Sequence, residues 1–311
     1  MKILVYGAGV IGSIYAAKLY AANYDVTLLA RSNNYESLKQ SGIIIKNSLT
    51  GNETANKISV TKYLEATDFY DLVIVTTQLG QLDSVIPALK NNNRCPLIMF
   101  MLNNPEHPGI LIEALKPKHI ILGFPGVGGA DENNIINYIQ IKQQKTTIGE
   151  INGESSDCIK QIKILFEKAG FKTFISNDIV SWLKVHAVFI ACMAAAIIKE
   201  NGSCIQLGEK RGSIKIMVKS IREGFAACKA LSISIMPINL KIVFMIMPQW
   251  FSILYWQKAM QGNLGTLAIA PHANKAKDEM KLVAEKVLEI VHSSHLPAPT
   301  LENLLCTFIK N

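Results

Sequence analysis

Residues 3–12 read ILVYGAGVIG, in which a short apolar run leads directly into three glycines spaced as GxGxxG. In a strand–turn–helix unit, the first glycine permits the tight turn, the second lets a pyrophosphate approach the backbone, and the third lets the new helix pack closely on the sheet. The pyrophosphate then lies on the free N–H groups at the helix N-terminus. The pattern predicts a dinucleotide site formed by Gly7, Gly9, Val10, Ile11 and Gly12.

The sequence around this motif supplies the context that a lone GxGxxG lacks. Ile3–Tyr6 is apolar enough for a buried strand, a helical pattern follows the glycines, and a second apolar run, Val26–Ala30, ends at Arg31. An acidic residue at this place would hold the 2′-hydroxyl of a bare ribose, whereas a guanidinium suits a 2′-phosphate. We therefore expect NADP(H) as the cofactor, with Arg31 at the phosphate.

The first half of the chain alternates strands with helices, and the second half is helical. Continuous apolar runs of the kind buried in a parallel sheet occur at Tyr70–Thr77, Pro96–Leu102 and His119–Phe124. After them the period changes, and no convincing strand pattern follows. This organisation predicts a Rossmann domain with a doubly wound parallel sheet over residues 1–175, and an all-α domain over residues 176–311.

Two antiparallel hairpins and one glycine-rich loop are expected within the first domain. One hairpin would pair Ile43–Lys46 with Lys57–Thr61. The other would pair Asn137–Ile141 with Lys145–Glu150. The loop is residues 123–130, GFPGVGGA, where Gly129 could let the backbone approach a ligand; a loop that is merely flexible is the alternative.

Composition limits the classes of function. The chain has 311 residues, of which 49% are hydrophobic and 18% charged, and its net charge of +8 fits anionic ligands. The lysines are scattered, and they form no basic block that is interleaved with aromatic residues. Nucleic acid is therefore not expected as a partner. The six cysteines form no CxxC and share no metal-ligand spacing with histidines, so we expect no metal and the reduced cysteines of a cytoplasmic protein.

Two features bear on membranes. A strand begins at the second residue, which leaves no room for a signal peptide. The apolar stretch Leu240–Trp256 reads LKIVFMIMPQWFSILYW, is shorter than the ~20 residues that a span needs, and is interrupted by Pro248. We expect no integral membrane span. The stretch instead indicates a buried helix–turn–helix or an oligomer interface, for example in a homodimer.

Two charged residues of the predicted helical domain are candidates for chemistry. Lys184 is the only formally charged residue in Ile179–Ile198, a helix apolar on all sides, so its ammonium must be paired or lie in a cleft where it could act as an acid. The alternative is a lysine that extends from an apolar helix to the surface. Glu279 borders the apolar stripe of the helix Asn274–His292, and faces either the edge of a cleft or solvent.

Asn103 directly follows a predicted parallel strand. Open α/β sheets bind ligands at the carboxyl ends of such strands. The sequence Asn103-Asn104-Pro105 is also an ordinary turn. Both interpretations stay open.

With these residues the chain resembles the ketopantoate reductase (2-dehydropantoate 2-reductase) family over essentially its full length. The resemblance rests on the glycine motif, Arg31, Asn103, Trp182-Leu183-Lys184, and Asp278-Glu279 followed twenty residues later by Pro299. It implies NADPH-dependent reduction of a 2-keto acid to a 2-hydroxy acid. The implied roles are proton donor for Lys184, active-site carboxylate for Glu279, nicotinamide neighbour for Asn103, and substrate contact for Asn201. Ketopantoate, reduced to pantoate for pantothenate biosynthesis, is the default substrate.

The chain also departs from the family's pattern, most clearly at three positions of the expected site. The family's lysine after the strand that matches Tyr70–Thr77 is Gln78 here, at the expected cofactor site. Two of its substrate-binding asparagines are replaced by Val188 and Cys192. Because these two share a helix face with Lys184, we expect them to form an apolar floor of the substrate site. Either the substrate is a more apolar keto acid, or the chain is an NADP-binding regulator without turnover.

Overall fold

A computed structural model describes residues 1–31, 33–142 and 144–310, apart from the side chains of residues 33, 264, 267, 268 and 271–273. The chain forms two compact units. The first, called the sheet unit here, comprises Met1–Leu102 and His107–Ile179. The second, called the helical unit, comprises Val180–Asn311 together with the short segment Asn103–Glu106.

The main sheet of the sheet unit has eight strands. In chain order they are β1 (Lys2–Tyr6), β2 (Asp25–Leu29), β5 (Ser59–Thr61), β6 (Leu72–Val75), β7 (Leu97–Met101), β8 (His119–Phe124), β11 (Thr146–Glu150) and β12 (Thr173–Ile175). Their spatial order is β12-β11-β8-β7-β6-β1-β2-β5. All neighbours pair in parallel except β11 and β8. The order reverses at β1, between β2 and β6, and ligands of doubly wound folds bind at such a switch point.

A second sheet of four strands covers part of the sheet unit. It consists of β3 (Ile43–Asn47), β4 (Glu53–Asn56), β9 (Val127–Glu132) and β10 (Ile135–Gln140), in the order β4-β3-β10-β9. The helix α1 (Val10–Ala21) contacts β1 and β2 of the main sheet as well as β3, β9 and β10. Since both of its sides are covered, most of its residues are buried.

Both predicted hairpins have the wrong partners. β3 pairs with Glu53–Asn56, because the turn after Asn47 returns the chain directly, with Lys46 opposite Glu53. Ser59–Thr61 instead joins β2 in the main sheet. β10 pairs with β9 across a turn at Asn133 and Asn134, which have φ values of 54° and 63°. Asparagine tolerates these left-handed conformations and so favours tight hairpin turns. Thr146–Glu150 pairs with β8 and is buried along its whole length.

Four further helices complete the sheet unit. They are α2 (Asn33–Ser41), α3 (Leu82–Asn91), α4 (Gly109–Leu115) and α5 (Asp157–Lys168), with a single 3₁₀ turn at Leu79–Gln81 before α3. α5 begins where the Ser156 hydroxyl accepts a hydrogen bond from the Ile159 N–H, as a serine N-cap does. Strands that alternate with helices confirm the predicted α/β fold of this half.

The helical unit contains α6 (Ile179–Lys199), α7 (Cys204–Glu209), α8 (Arg211–Ala230), α9 (Ile238–Lys241), α10 (Gln249–Gln261), α11 (Ala270–Lys275), α12 (Lys277–Ser293) and α13 (Pro299–Lys310). Two π-helical stretches, Ile242–Ile246 and Leu264–Ile269, link them. α8 buries a stripe at helical spacing against α12 and α13, as in other α-domains. This confirms the predicted helical second half.

Two apolar segments differ in how far they are buried. Within the part of the chain that the structure describes, α6 alone is long and apolar enough to cross a membrane, and 78% of its most apolar window is buried inside the protein. The stretch Leu240–Trp256 does break at Pro248, between a π-helical turn and α10. It is not buried as a whole, however, since Ile246, Trp250 and Leu254 are each about half exposed or more.

Candidate functional site

The turn after β1 is shaped by contacts that leave no room for side chains. Gly7 has φ +121°, a conformation that residues with a Cβ rarely adopt. A Cβ on Gly12 would lie 1.9 Å from the carbonyl oxygen of Gly7 and 2.5 Å from Thr76 Oγ1. The Thr76 hydroxyl also donates to the Gly7 carbonyl at 3.1 Å. The glycine spacing is therefore a packing requirement between α1, β1 and the residue after β6.

Gly9 differs from these two glycines because its side-chain position is open. Nothing lies within 4 Å of the place where a Cβ would stand. Gly9 is also the N-cap of α1, and neither a side-chain cap nor an acidic residue occupies the first turn there. The N–H groups of Val10 and Ile11 thus begin a helix whose positive end is accessible to an anion. This cradle fits a dinucleotide pyrophosphate.

Arg31 lies just after the end of β2, and its guanidinium is hydrogen-bonded to uncharged side chains rather than to a carboxylate. Its Nη2 donates to Tyr6 Oη at 2.7 Å, and its Nη1 donates to Ser84 Oγ at 3.2 Å. The guanidinium also lies 5.7 Å from the centre of the Tyr6 ring. No carboxylate pairs with it among the described residues. The charge is exposed and available to a phosphate. Its neighbours Tyr6 and Ser84 could not be predicted from the sequence.

Gln78 follows β6 and is exposed. It caps the 3₁₀ turn, and its backbone N–H donates to Gln81 Oε1 at 3.2 Å. Just before it, the buried Thr77 Oγ1 has no hydrogen-bond partner among the described residues. Thr76 and Thr77, which follow β6, were not predicted as site residues from the sequence. The available signal was that their hydroxyls directly follow a buried strand at a switch point.

The prediction of a glycine-rich loop over residues 123–130 was wrong, because β8 runs to Phe124 and β9 begins at Val127. Gly129 lies inside β9, paired with Tyr138 of β10. A Cβ there would lie 2.3 Å from the carbonyl oxygen of Asn137. Close approach between the two strands therefore accounts for this glycine. A contact between Gly129 and a cofactor stays a prediction, without support from a mobile loop.

Asn103 and Glu279 come together in the helical unit. Asn103 Nδ2 donates to Glu279 Oε1 at 3.5 Å, and both residues are more than nine-tenths buried. The other side-chain atom of Asn103, its buried Oδ1, has no hydrogen-bond partner among the described residues. Glu279 lies in the first turn of α12, where the helix dipole favours a negative charge. The pair thus combines a fixed carboxylate with an amide oxygen that still needs a donor.

A salt bridge holds the Asn103 segment on the same helix. Lys286 Nζ of α12 lies 3.0 Å from Glu106 Oε1. The hydrogen bonds and ion pairs to Glu106 and Glu289 raise the pKa of Lys286. Asn103–Glu106 directly follows β7 in the chain, yet it belongs to the helical unit through these contacts. The sequence did not indicate this attachment.

Lys184 is half-buried on α6. Among the described residues it makes no hydrogen bond and no ion pair. Its charge reaches Cys228 of α8: burial raises the pKa of this thiol to about 12, and Lys184 acts in the opposite direction. A half-buried ammonium without a protein counter-charge can receive an anionic or carbonyl oxygen.

The expected apolar floor of the substrate site was wrong. Val188 and Cys192 have no exposed surface. A Cβ on Gly224 of α8 would lie 2.4 Å from Val188 Cγ1, so the two helices touch at this valine. Burial also raises the pKa of the Cys192 thiol. These residues follow Lys184 at helical spacing, but their face packs on α8 and makes core rather than a ligand surface.

Asn201 lies just beyond the end of α6, exposed and with φ 55°. The adjacent Gly202 has φ 74°, and its carbonyl accepts a hydrogen bond from Asn274 Nδ2 at 3.0 Å. The pair ends the helix in the left-handed conformation usual for such positions. A substrate contact of Asn201 stays a prediction beside this structural role.

Comparisons with known proteins give the family and the fold that this chain is similar to. Residues 3–153 match the family model described as Ketopantoate reductase PanE/ApbA. The chain is 25% identical over 256 residues to the 2-dehydropantoate 2-reductase of Pyrococcus horikoshii, an alignment that covers 78% of this chain and 79% of that protein. It is 27% identical over 197 residues to the uncharacterized oxidoreductase YkpB of Bacillus subtilis, covering 62% and 63%. The alignment therefore spans less than two thirds of that second relative.

A solved structure shares the fold over the whole chain. It is the ternary structure of D-mandelate dehydrogenase with NADH and anilino(oxo)acetate, with a TM-score of 0.79 and 15% sequence identity, covering 100% of this chain and 97% of that one. At this identity the likeness concerns the fold alone.

Proposed function

We propose that this chain is a divergent member of the ketopantoate reductase family and reduces a 2-keto acid to a 2-hydroxy acid with NADPH. The observation that carries the proposal is Lys184, a half-buried ammonium without a hydrogen bond or ion pair among the described residues. A protein that only binds a nucleotide has no use for such a charge in an otherwise apolar helix.

The sheet unit supplies the cofactor residues. The N–H groups that begin α1 would bind the pyrophosphate beside the open side of Gly9, and Arg31 would bind the 2′-phosphate. Arg31 keeps its place through Tyr6 and Ser84 when no phosphate is present, so little ordering is required on binding. These contacts favour NADPH over NADH.

The helical unit supplies the residues for the substrate. When bound, the nicotinamide supplies the hydride that is added to the keto carbon. Lys184 gives its proton to the oxygen of that carbonyl, and its charge stabilises the negative charge that develops there. The lysine is then neutral, and it takes up a proton from solvent before the next turnover.

Asn103 and Glu279 would position the reactants. The unpaired Oδ1 of Asn103 can accept a hydrogen bond from the nicotinamide amide or from a substrate hydroxyl. Its Nδ2 is held by Glu279, which fixes the orientation of the amide. Glu279 therefore acts through Asn103. Together the two residues would determine where the group that donates a hydrogen bond to Asn103 Oδ1 must lie.

Ketopantoate is the default substrate, and the product would then serve pantothenate biosynthesis. The relative from Pyrococcus horikoshii is named for this reaction. The solved D-mandelate dehydrogenase is named for mandelate, a 2-hydroxy acid with an aromatic side chain. We therefore include aryl and branched 2-keto acids as candidate substrates.

The second candidate is an NADP-binding regulator without turnover. One observation favours it: Gln78 puts a neutral amide after β6, where the resemblance leads us to expect a lysine. Steady-state NADPH oxidation with ketopantoate, 2-ketoisovalerate and phenylglyoxylate separates the two functions. Turnover of any of them that Lys184→Ala removes, with NADPH binding kept, supports the reductase. Tight NADPH binding with no oxidation by any 2-keto acid supports the regulator.

A further inference from the structure

α10 and the π-helical turn before it leave large apolar side chains in solvent. In α10, the exposed residues are Trp250, Phe251, Leu254 and Tyr255. In the preceding segment, they are Ile238, Ile242 and Ile246. Trp250 is 58% exposed and Ile246 60%. We call these seven residues the apolar surface; patches of this kind mark sites of interaction with a protein or a membrane.

The opposite side of the same segments packs in the core of the helical unit. Trp256 and Phe244 stack with their ring centres 5.9 Å apart, and Phe189 of α6 packs against both. Arg222 Nη1 of α8 donates to the Met247 carbonyl at 3.1 Å and so fixes the turn before Pro248. The apolar surface is therefore presented by a rigid, well-packed support and needs no rearrangement to become exposed.

The charge of the segments that carry this surface has one sign. From Gly224 to Lys277 the sequence contains five lysines and no aspartate or glutamate. Two of these lysines adjoin the apolar surface. Lys258 is exposed one helical turn beyond Leu254, on the stripe that runs from Trp250. Lys241 is exposed next to Ile242.

The combination of exposed apolar side chains and lysines favours one binding partner over another. A second copy of the chain that docked symmetrically would bring lysines against lysines, with no carboxylate in the whole segment to pair with them. An anionic bilayer complements both features, since aliphatic and aromatic side chains enter the headgroup boundary while lysines meet acidic lipids. We propose that the apolar surface binds the chain peripherally to anionic membranes, with Lys241 and Lys258 at the phosphates.

Co-flotation of the full chain with lipid vesicles tests this proposal. We expect binding to vesicles of equal parts phosphatidylcholine and phosphatidylserine, weaker binding at high salt, and little binding to phosphatidylcholine alone. Lys241→Gln with Lys258→Gln removes two charges, and we expect each to weaken binding about fivefold. The matched control is Lys90→Gln with Lys168→Gln, which removes two exposed lysines of the sheet unit and leaves binding unchanged.

The apolar part is tested by Trp250→Glu with Leu254→Glu, which we expect to abolish flotation. Ile164→Glu in α5 is the control, because Ile164 is 52% exposed on the sheet unit. Sedimentation velocity of the same proteins gives the competing outcome. A dimer that Trp250→Glu dissociates, with no flotation of the wild type, overturns the proposal in favour of self-association. Equal flotation with neutral and anionic vesicles overturns the role of the lysines, a result that does not depend on whether the glutamate variants fold.

Discussion

The glycine turn of the sheet unit and the Lys184 face of α6 differ in what determines them. In the turn, backbone atoms leave no space at Gly12 and an open space at Gly9, so the residue types follow from backbone geometry alone. On α6, the residues at helical spacing from Lys184 could face a ligand or another helix, and only packing decides. Local backbone constraints can be read from one segment, whereas the face of a buried helix depends on its distant neighbours.

The largest effect is expected for Lys184. Lys184→Ala removes the proposed proton donor, and general acid catalysis typically contributes ~10²–10⁴-fold to the rate. We expect kcat with the best 2-keto acid to fall by that amount, while NADPH affinity measured by fluorescence stays the same. Lys199→Ala is the control, since Lys199 is exposed on the same helix. Near-normal turnover of the Lys184 variant contradicts the assignment.

The two glycines of the turn form a matched pair. Gly12→Ala forces its new methyl group against the Gly7 carbonyl, so we expect it to cost about 1–3 kcal/mol of unfolding free energy, as overpacking does. Gly9→Ala meets no atom and leaves stability unchanged. It fills the cradle, however, and we expect NADPH binding to weaken roughly tenfold or more through lost charge-assisted hydrogen bonds. Denaturant titration and NADPH titration of both variants separate the two effects. Unchanged NADPH affinity of Gly9→Ala would remove the pyrophosphate from this position.

Val188 tests the packing of α6. Val188→Asn places an amide in the fully buried contact with Gly224, and we expect a loss of about 1–3 kcal/mol in the unfolding free energy. Ile164→Asn, at an exposed position, serves as the control. A variant of full stability that prefers ketopantoate more strongly than the wild type would restore the ligand-facing interpretation of this valine.

Arg31→Gln tests cofactor choice in the sheet unit. The guanidinium–phosphate contact is worth on the order of 1.5–3 kcal/mol. We expect NADPH affinity to fall accordingly and NADH affinity to change little. Arg94→Gln removes another exposed arginine of this unit and provides the comparison. Equal losses for both cofactors would show that Arg31 does not distinguish them.

The smallest effect belongs to the salt bridge between Glu106 and Lys286. A double-mutant cycle with Glu106→Gln and Lys286→Gln is expected to give a coupling of about 0.2–1 kcal/mol, since both side chains are partly exposed. Thermal unfolding measures it. No coupling would mean that the Asn103–Glu279 contact holds the segment by itself.

Prediction from the sequence succeeded where the cause was local. The strand–glycine–helix unit, the buried strands and the alternation of elements follow from short-range patterns, so the α/β fold with a helical second half could be predicted. The first hairpin failed because the turn after Asn47 returns the chain directly into Glu53–Asn56. The second failed because the Asn133–Asn134 turn pairs β10 with β9, and the fully buried strand Thr146–Glu150 pairs with β8. The attachment of Asn103 to α12 joins residues 176 positions apart, which no single segment reveals.

Single-turnover NADPH oxidation tests the central claim most directly, since it depends both on the proposed cofactor turn and on Lys184 as the proposed proton donor. Excess protein is mixed with NADPH and then with each 2-keto acid, and the formation of the 2-hydroxy acid is followed by mass spectrometry. We expect one equivalent of product in the wild type and a rate reduced by ~10²–10⁴ in Lys184→Ala at saturating NADPH. Product formed equally fast by both proteins, or by neither with any 2-keto acid, would contradict the account.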